Sequence, residues 1–224
     1  MTIPEILQSL LSTNVYRKTG AIMLQETWLH NLYDDDLVCL DGFKLFQQDR
    51  SFSKKKCGGG GVATFISVNW SSSNYVCFYF SNKKNQCITI KCRPKHLGKY
   101  KYLCIKNMYV TPDCSFSDVL TFADKFTEFA ALVHGNSLSI VCGHFNSYDC
   151  RFLVSLRHRN MVNFPTRLDN TLDFAFKNEP SIYEAHKRAP LLNSDHCIVR
   201  VCLKCTENYT RKLSDTFQGK FNTD

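Results

Sequence analysis

The chain has 224 residues, with 28 Lys and Arg against 20 Asp and Glu for a net charge of +8; 44% of its residues are apolar and 21% are charged. That length fits one globular domain, which buries roughly 70% of the surface its unfolded chain exposes and needs no disulfide or metal staple. Its 17 Phe and 10 Tyr are too many buriable rings for a disordered chain, and no apolar run approaches the ~20 residues of a membrane span.

In chain order, Thr2-Ile3-Pro4-Glu5 has capping-box spacing. Ile3, Ile6, Leu7, Leu10 and Leu11 then repeat as the stripe of an amphipathic helix. Met1 to Asn14 carries no Lys or Arg, so it does not read as a secretory signal, and an intracellular, non-secreted protein is expected. Ala21–Leu24 reads as a buried strand. Gly58 to Gly61 forms a glycine turn, followed by strands over Val62–Val68, Tyr75–Phe80, Cys87–Cys92 and Tyr102–Tyr109. Ser117 reads as the N-cap of a helix whose apolar stripe runs from Val119 to Val133. Leu138–Cys142, Thr171–Phe176, Ser181–Ala185 and Cys197–Leu203 complete the strands. From Thr206 the chain turns polar and loses period. The expectation is therefore an α/β sandwich domain over 1–205 and a polar tail or linker over 206–224.

The charge excess falls in clusters: Lys54, Lys55 and Lys56; Lys95, Lys99, Lys101 and Lys106; and Arg151, Arg157, Arg159 and Arg167. Such patches suit a polyanion, because each contact with a phosphate releases counterions. The 12 cysteines lie mostly in apolar segments, where they act as small buried residues rather than a disulfide framework. Cys202 and Cys205 alone have C-x-x-C spacing, a weak zinc signal without a second pair.

Polar residues that can carry chemistry fall where strands end, the usual edge for a site in α/β architectures. Glu26 and Asp195 are carboxylates that could hold a hard divalent cation. His196 could donate a hydrogen bond to developing phosphate charge, with Asp173 on its other ring nitrogen. Asn146 could orient a water or a phosphate oxygen, and Tyr109 offers a phenol. The set suits metal-assisted phosphodiester hydrolysis, although any one of these residues alone reads as structural.

Gln25-Glu26-Thr27-Trp28-Leu29, Gly58-Gly59-Gly60-Gly61-Val62-Ala63, Asn107-Met108-Tyr109-Val110-Thr111-Pro112, Gly143-His144-Phe145-Asn146, Pro165-Thr166-Arg167, Leu172-Asp173 and Ser194-Asp195-His196 occur in this order. In this the chain resembles the endonuclease/exonuclease/phosphatase superfamily, and most of all the apurinic-type endonuclease domain of non-LTR retrotransposons. The resemblance spans about Ile3 to Leu203. It implies a four-layered α/β sandwich, two stacked mixed sheets flanked by helices, and a Mg²⁺ or Mn²⁺ cofactor. By the same resemblance Glu26 binds the metal, Tyr109 lies near the scissile phosphate, and Asn146 is the active-site asparagine. Asp173 orients the catalytic histidine, Asp195 is a metal-site or supporting aspartate, and His196 stabilises the pentacovalent phosphate. Lys54, Lys55, Lys56 and Arg167 would bind nucleic acid.

Two departures stand out. His144 occupies a position where the family has the aspartate that handles the attacking water. Met1 precedes the first helix directly, where the family begins with a strand ending in asparagine, so the domain reads as short at its N-terminal end. The resulting expectation is a divalent-metal-dependent phosphodiesterase that nicks DNA, nuclear if it acts on genomic DNA and joined to a downstream reverse transcriptase region in a longer parent. The alternatives are a catalytically impaired relative that keeps the fold and nucleic-acid binding, and a phosphatase or RNA nuclease of the same superfamily.

Overall fold

A computed structural model describes residues 5–6, 8–9, 18–29, 35–49, 60–95, 97–133, 137–146 and 148–204. Most of the expected N-terminal helix lies outside these residues, as do Lys54, Lys55, Lys56, Cys205 and the expected tail over 206–224; Glu5, Ile6, Gln8 and Ser9 are helical.

Alternation of apolar residues builds the layers. In β3 (Val62–Ser67) every residue is buried, with Val62 and Ile66 facing one core and Ala63 and Phe65 another. β3 is the centre of a three-stranded antiparallel sheet between β1 (Ala21–Gln25) and β2 (Phe43–Gln48). A second sheet has six strands: β4 (Ser71–Ser81), β5 (Asn85–Pro94), β6 (Tyr102–Val110), β7 (Ser137–His144), β8 (Arg159–Asn160) and β9 (Asp173–Lys177), in the order β4-β5-β6-β7-β9-β8. Ile88, Ile90, Leu103, Ile105, Leu138 and Ile140 point from it toward the first sheet. Cys87, Met108, Val110, Val141 and Phe176 point the other way, onto Phe122 and Phe126 of helix α1 (Phe116–Val133) and Leu153 of helix α2 (Arg151–Ser155). β6, α1 and β7 make a βαβ unit, and β6–β7 is the parallel pair of the sheet. The expected α/β sandwich of two stacked sheets is what the chain forms.

Helix α1 is capped two residues earlier than expected. Ser115 Oγ accepts the Asp118 N–H at 3.2 Å and the Ser115 N–H donates to Asp118 Oδ2 at 3.1 Å, a reciprocal box that Ser117 cannot make.

The layer facing the six-stranded sheet is split. β10 (Tyr183–Pro190) and β11 (Cys197–Leu203) form a separate two-stranded antiparallel sheet. β2 packs on β5, β3 spans β4 to β6, β1 lies against β6 and β7, and β11 lies against β9. Among the described residues no strand lies between β1 and β11, and each pairs on one side only. β1 is accordingly half-buried along its whole length, whereas β3 is fully buried.

A buried polar tie joins the layers. Asn107 of β6 is fully buried; its Nδ2 reaches Leu24 O at 3.2 Å and Ala63 O at 3.0 Å, while its Oδ1 accepts from Gln25 Nε2 at 2.6 Å. Leu24 and Gln25 close β1 and Ala63 is the cross-strand partner of Leu24, so this tie sets the height at which the following residue, Glu26, leaves the sheet.

Candidate active site

Glu26 occupies a turn that the glycine segment holds from below. Glu26 and Trp28 both have left-handed backbone, with φ of 52° and 56°, a conformation costly for residues with a Cβ. The Trp28 N–H donates to Gly60 O at 2.9 Å, and the Gly61 N–H donates to Gln86 Oε1 at 2.6 Å. Gly61 itself has φ of 90°, and a Cβ there would overlap Thr27 Oγ1. Gly60 and Gly61 thus let backbone approach the Glu26 turn closely.

The parallel register of β6 and β7 sets Tyr109 beside His144. Their rings stack with centroids 5.9 Å apart and planes at 15°. The antiparallel register of β7 and β9 then sets Asp173 opposite His144. Thr166, buried, accepts the N–H groups of Leu172 and Asp173 on its Oγ1 at 3.0 and 3.1 Å. Its carbonyl accepts the Cys197 N–H at 2.8 Å, which brings β11 and His196 to the same edge. Thr166 lay within a recognised sequence block, but its role as the joint between Asp173 and His196 is visible only in three dimensions.

One carboxylate now serves two imidazoles. Asp173 Oδ1 lies 2.8 Å from His144 Nδ1, and Asp173 Oδ2 lies 2.7 Å from His196 Nδ1. A carboxylate with oxygens in this position only accepts, so both rings carry their proton on Nδ1 and turn Nε2 outward. The His144 and His196 rings meet edge to face at 5.0 Å. His144 Nε2 is 3.9 Å from Glu26 Oε1, and His196 Nε2 is 4.0 Å from Asp195 Oδ1. Burial pushes the Asp173 carboxyl up, but the hydrogen bonds from His144 and His196 outweigh it and hold the group below the usual carboxylate range. The hydrogen bond to Asp173 raises His196 above the ordinary histidine value, against a smaller opposing effect of burial.

The other expected residues sit around this centre. Asn146, with φ of 52°, donates from Nδ2 to Val110 O at 2.6 Å, which fixes the loop after β7. Asp195 is exposed and ion-paired with Arg167, with Oδ2 at 2.7 Å from both Nε and Nη2. Burial acts to raise the Asp195 carboxyl, but the Arg167 hydrogen bond and charge lower it.

The expected basic clusters are redistributed. Lys106 is not on a rim: it is fully buried, with Nζ donating to Ser139 Oγ at 2.7 Å, because the helix-facing side of β6 points it under α1. Lys95, Lys99 and Lys101 are exposed in the β5–β6 connection, at the opposite end of β6 from Tyr109. Arg159 pairs with Lys177, at the end of β9 away from Asp173. Of the described basic residues named above, Arg167 is the one that pairs with a candidate site residue.

These residues fit a divalent ion modestly. Glu26 offers an outward carboxylate at the mouth of the site, and a hard cation such as Mg²⁺ or Mn²⁺ binds through one or two carboxylates while keeping its waters. The ligand atoms of His144, Asp173 and His196 also lie within 4.8 Å of one another. Both Asp173 oxygens already accept imidazole N–H groups, however, so that group is a hydrogen-bonded triad and not an ion cage.

Solved structures share this architecture. The catalytic domain of human Nocturnin superposes with a TM-score of 0.61 at 15% identity, over 89% of this chain and 85% of that one. The endonuclease domain of TRAS1, a telomere-specific non-LTR retrotransposon, gives 0.60 at 12% identity, over 90% and 94%. A mannosyl-6-phosphatase from Bacteroides thetaiotaomicron gives 0.60 at 16%, over 91% and 90%. No family profile and no curated protein matches the chain. The fold is that of the endonuclease/exonuclease/phosphatase superfamily, whose nucleases and phosphatases are its structural neighbours. No described helix is long and apolar enough to cross a membrane.

Proposed function

We propose that the chain is a divalent-metal-dependent phosphodiesterase that nicks DNA. The observation that carries this reading is the shared Asp173 carboxylate, which orients two imidazoles so that two Nε2 atoms face the mouth beside Glu26. The net charge of +8 supports a polyanionic substrate, and the retrotransposon endonuclease among the neighbours supports DNA over a small phosphoester.

Glu26 would hold the ion, with Asp195 at the edge of the site, and a bound ion would supply charge stabilisation for the phosphate. The chain's own residues do the rest. His144 Nε2 takes a proton from the attacking water, and an imidazole can do this near neutral pH. As the water oxygen bonds to phosphorus, the bond from phosphorus to the leaving oxygen breaks. His196, favoured as imidazolium by Asp173, donates from Nε2 to the phosphate and returns a proton to the leaving oxygen. Tyr109, stacked on His144, holds that ring against rotation about its hydrogen bond.

The test is nicking of supercoiled plasmid with Mg²⁺ or Mn²⁺, by the chain and by His196→Ala. The expected result is metal-dependent nicking that falls about 10²–10⁴-fold in the variant. Absence of nicking with either ion, or equal nicking by His196→Ala, overturns the reading. Among the described residues no strand fills the gap between β1 and β11, which favours a second reading, a relative that binds DNA without turnover. It is distinguished by DNA binding that persists where nicking is absent.

A further inference from the structure

The outer face of the β10–β11 ladder gathers three metal-ligating side chains of different chemistry. Glu184 and His186 lie two positions apart on β10 and so share a face. Cys202 is the cross-strand partner of Glu184 and points the same way. The next pair along, His186 and Arg200, shares that face. His186 Nε2 lies 3.1 Å from Glu184 Oε1, and the ligand atoms of all three residues fall within 4.8 Å of one another. Glu184 and Cys202 are half-buried, and His186 is exposed. This group is remote from the candidate active site: Cys202 follows His196 by six positions along an extended strand, roughly 20 Å.

We propose that Glu184, His186 and Cys202 bind a Zn²⁺ ion, with water in the fourth position. Thiolate, imidazole and carboxylate are the three ligand types zinc takes, and a thiolate selects zinc over the hard ions that suit Glu26. One thiolate and one carboxylate match the 2+ charge, so the loaded site is neutral and tolerates Arg200 beside it. Binding releases the Cys202 thiol proton to solvent, and the neutral His186 ring moves its proton from Nε2 to Nδ1 so that Nε2 can ligate. Spacing along the sequence finds only the Cys202 and Cys205 pair; Cys205 lies outside the described residues, and the other two ligands come from the neighbouring strand. The ion would clamp the start of β10 to the end of β11, in a ladder of two strands that has little stability alone.

The full chain, reduced and stripped of metal, is titrated with Co²⁺ and then with Zn²⁺. The expected result is a thiolate-to-cobalt charge-transfer band that saturates at one equivalent and is bleached by Zn²⁺. Cys202→Ser removes the band. His186→Ala weakens Zn²⁺ binding by more than the about 10- to 100-fold typical of losing a residue that merely supports a ligand. Both side chains lie on an outer face, so the variants should fold, which circular dichroism checks. No band in the parent chain, or an equal band in Cys202→Ser, overturns the proposal.

Discussion

The six-stranded sheet and the split layer facing it are made of similarly apolar strands, yet they differ in how each strand is held. β6 is paired on both sides and buried in all but its first residue; β1, with the sequence Ala-Ile-Met-Leu-Gln, is paired on one side among the described residues and half-buried throughout. The site draws on both. Tyr109, His144 and Asp173 come from the complete sheet, whereas Glu26 and His196 come from the edges β1 and β11 of the split layer. The difference teaches that Tyr109, His144 and Asp173 form a rigid half, in which Tyr109 and His144 sit on backbone paired on both sides. Glu26 and His196 hang on ties such as the Asn107–Gln25 side-chain hydrogen bond and the Thr166–Cys197 backbone hydrogen bond.

Five experiments break or sharpen this contrast. Asp173→Asn strikes the rigid half directly: the side-chain amide cannot accept from both imidazoles, and phosphodiester cleavage should fall about 10³–10⁴-fold with little change in melting temperature. Gly143→Ala comes next. A Cβ there overlaps the Met108 backbone carbonyl across the parallel ladder, and backbone paired on both sides cannot yield. Denaturant unfolding should show a loss of about 3 kcal/mol, the upper end of overpacking costs. In the split layer, Gly20→Ala meets only the Trp70 ring, a side chain that can turn away, so the loss should be about 1 kcal/mol.

Lys106 tests the rigid sheet through pH. Burial depresses its ammonium below the ordinary lysine range. The folded state therefore binds fewer protons than the unfolded state between the depressed value and ~10.4, and stability should rise with pH across that window. Urea unfolding from neutral to alkaline pH should show this rise, and Lys106→Met should flatten it. The smallest effect concerns β1 itself. Amide exchange should be faster in β1 than in β6 and β7 under native conditions, because an edge strand opens without global unfolding.

Much of the complete sheet was legible in sequence, because its strands β5, β6 and β7 are long and apolar on both faces. β2 was missed: Phe-Lys-Leu-Phe-Gln-Gln mixes polar and apolar residues and has no β-branched residue to mark a strand. β10 runs on to Pro190, past the expected end at Ala185, because its charged residues face solvent and its proline sits at a register shift. Two-residue β8 and five-residue α2 are too short to carry a period. Residue types and order named Glu26, Tyr109, His144, Asp173 and His196, and the structure brings these five together at one edge. What the order could not convey is that His144 and His196 share one partner, since that depends on β7–β9 register and on Thr166. Lys106 misled for a related reason. A lysine among apolar neighbours looks basic in composition, yet Ser139 and His158, with His158 Nε2 2.9 Å from the same Ser139 Oγ, give it a buried hydrogen-bonded place.

The central claim is that one carboxylate orients both imidazoles, and nitrogen-15 NMR of the two histidine rings tests it most directly. The account expects the proton on Nδ1 in both His144 and His196, with that pattern lost from both rings in Asp173→Asn. An Nε2–H tautomer on either ring of the parent chain, or tautomers unchanged by the substitution, would contradict it.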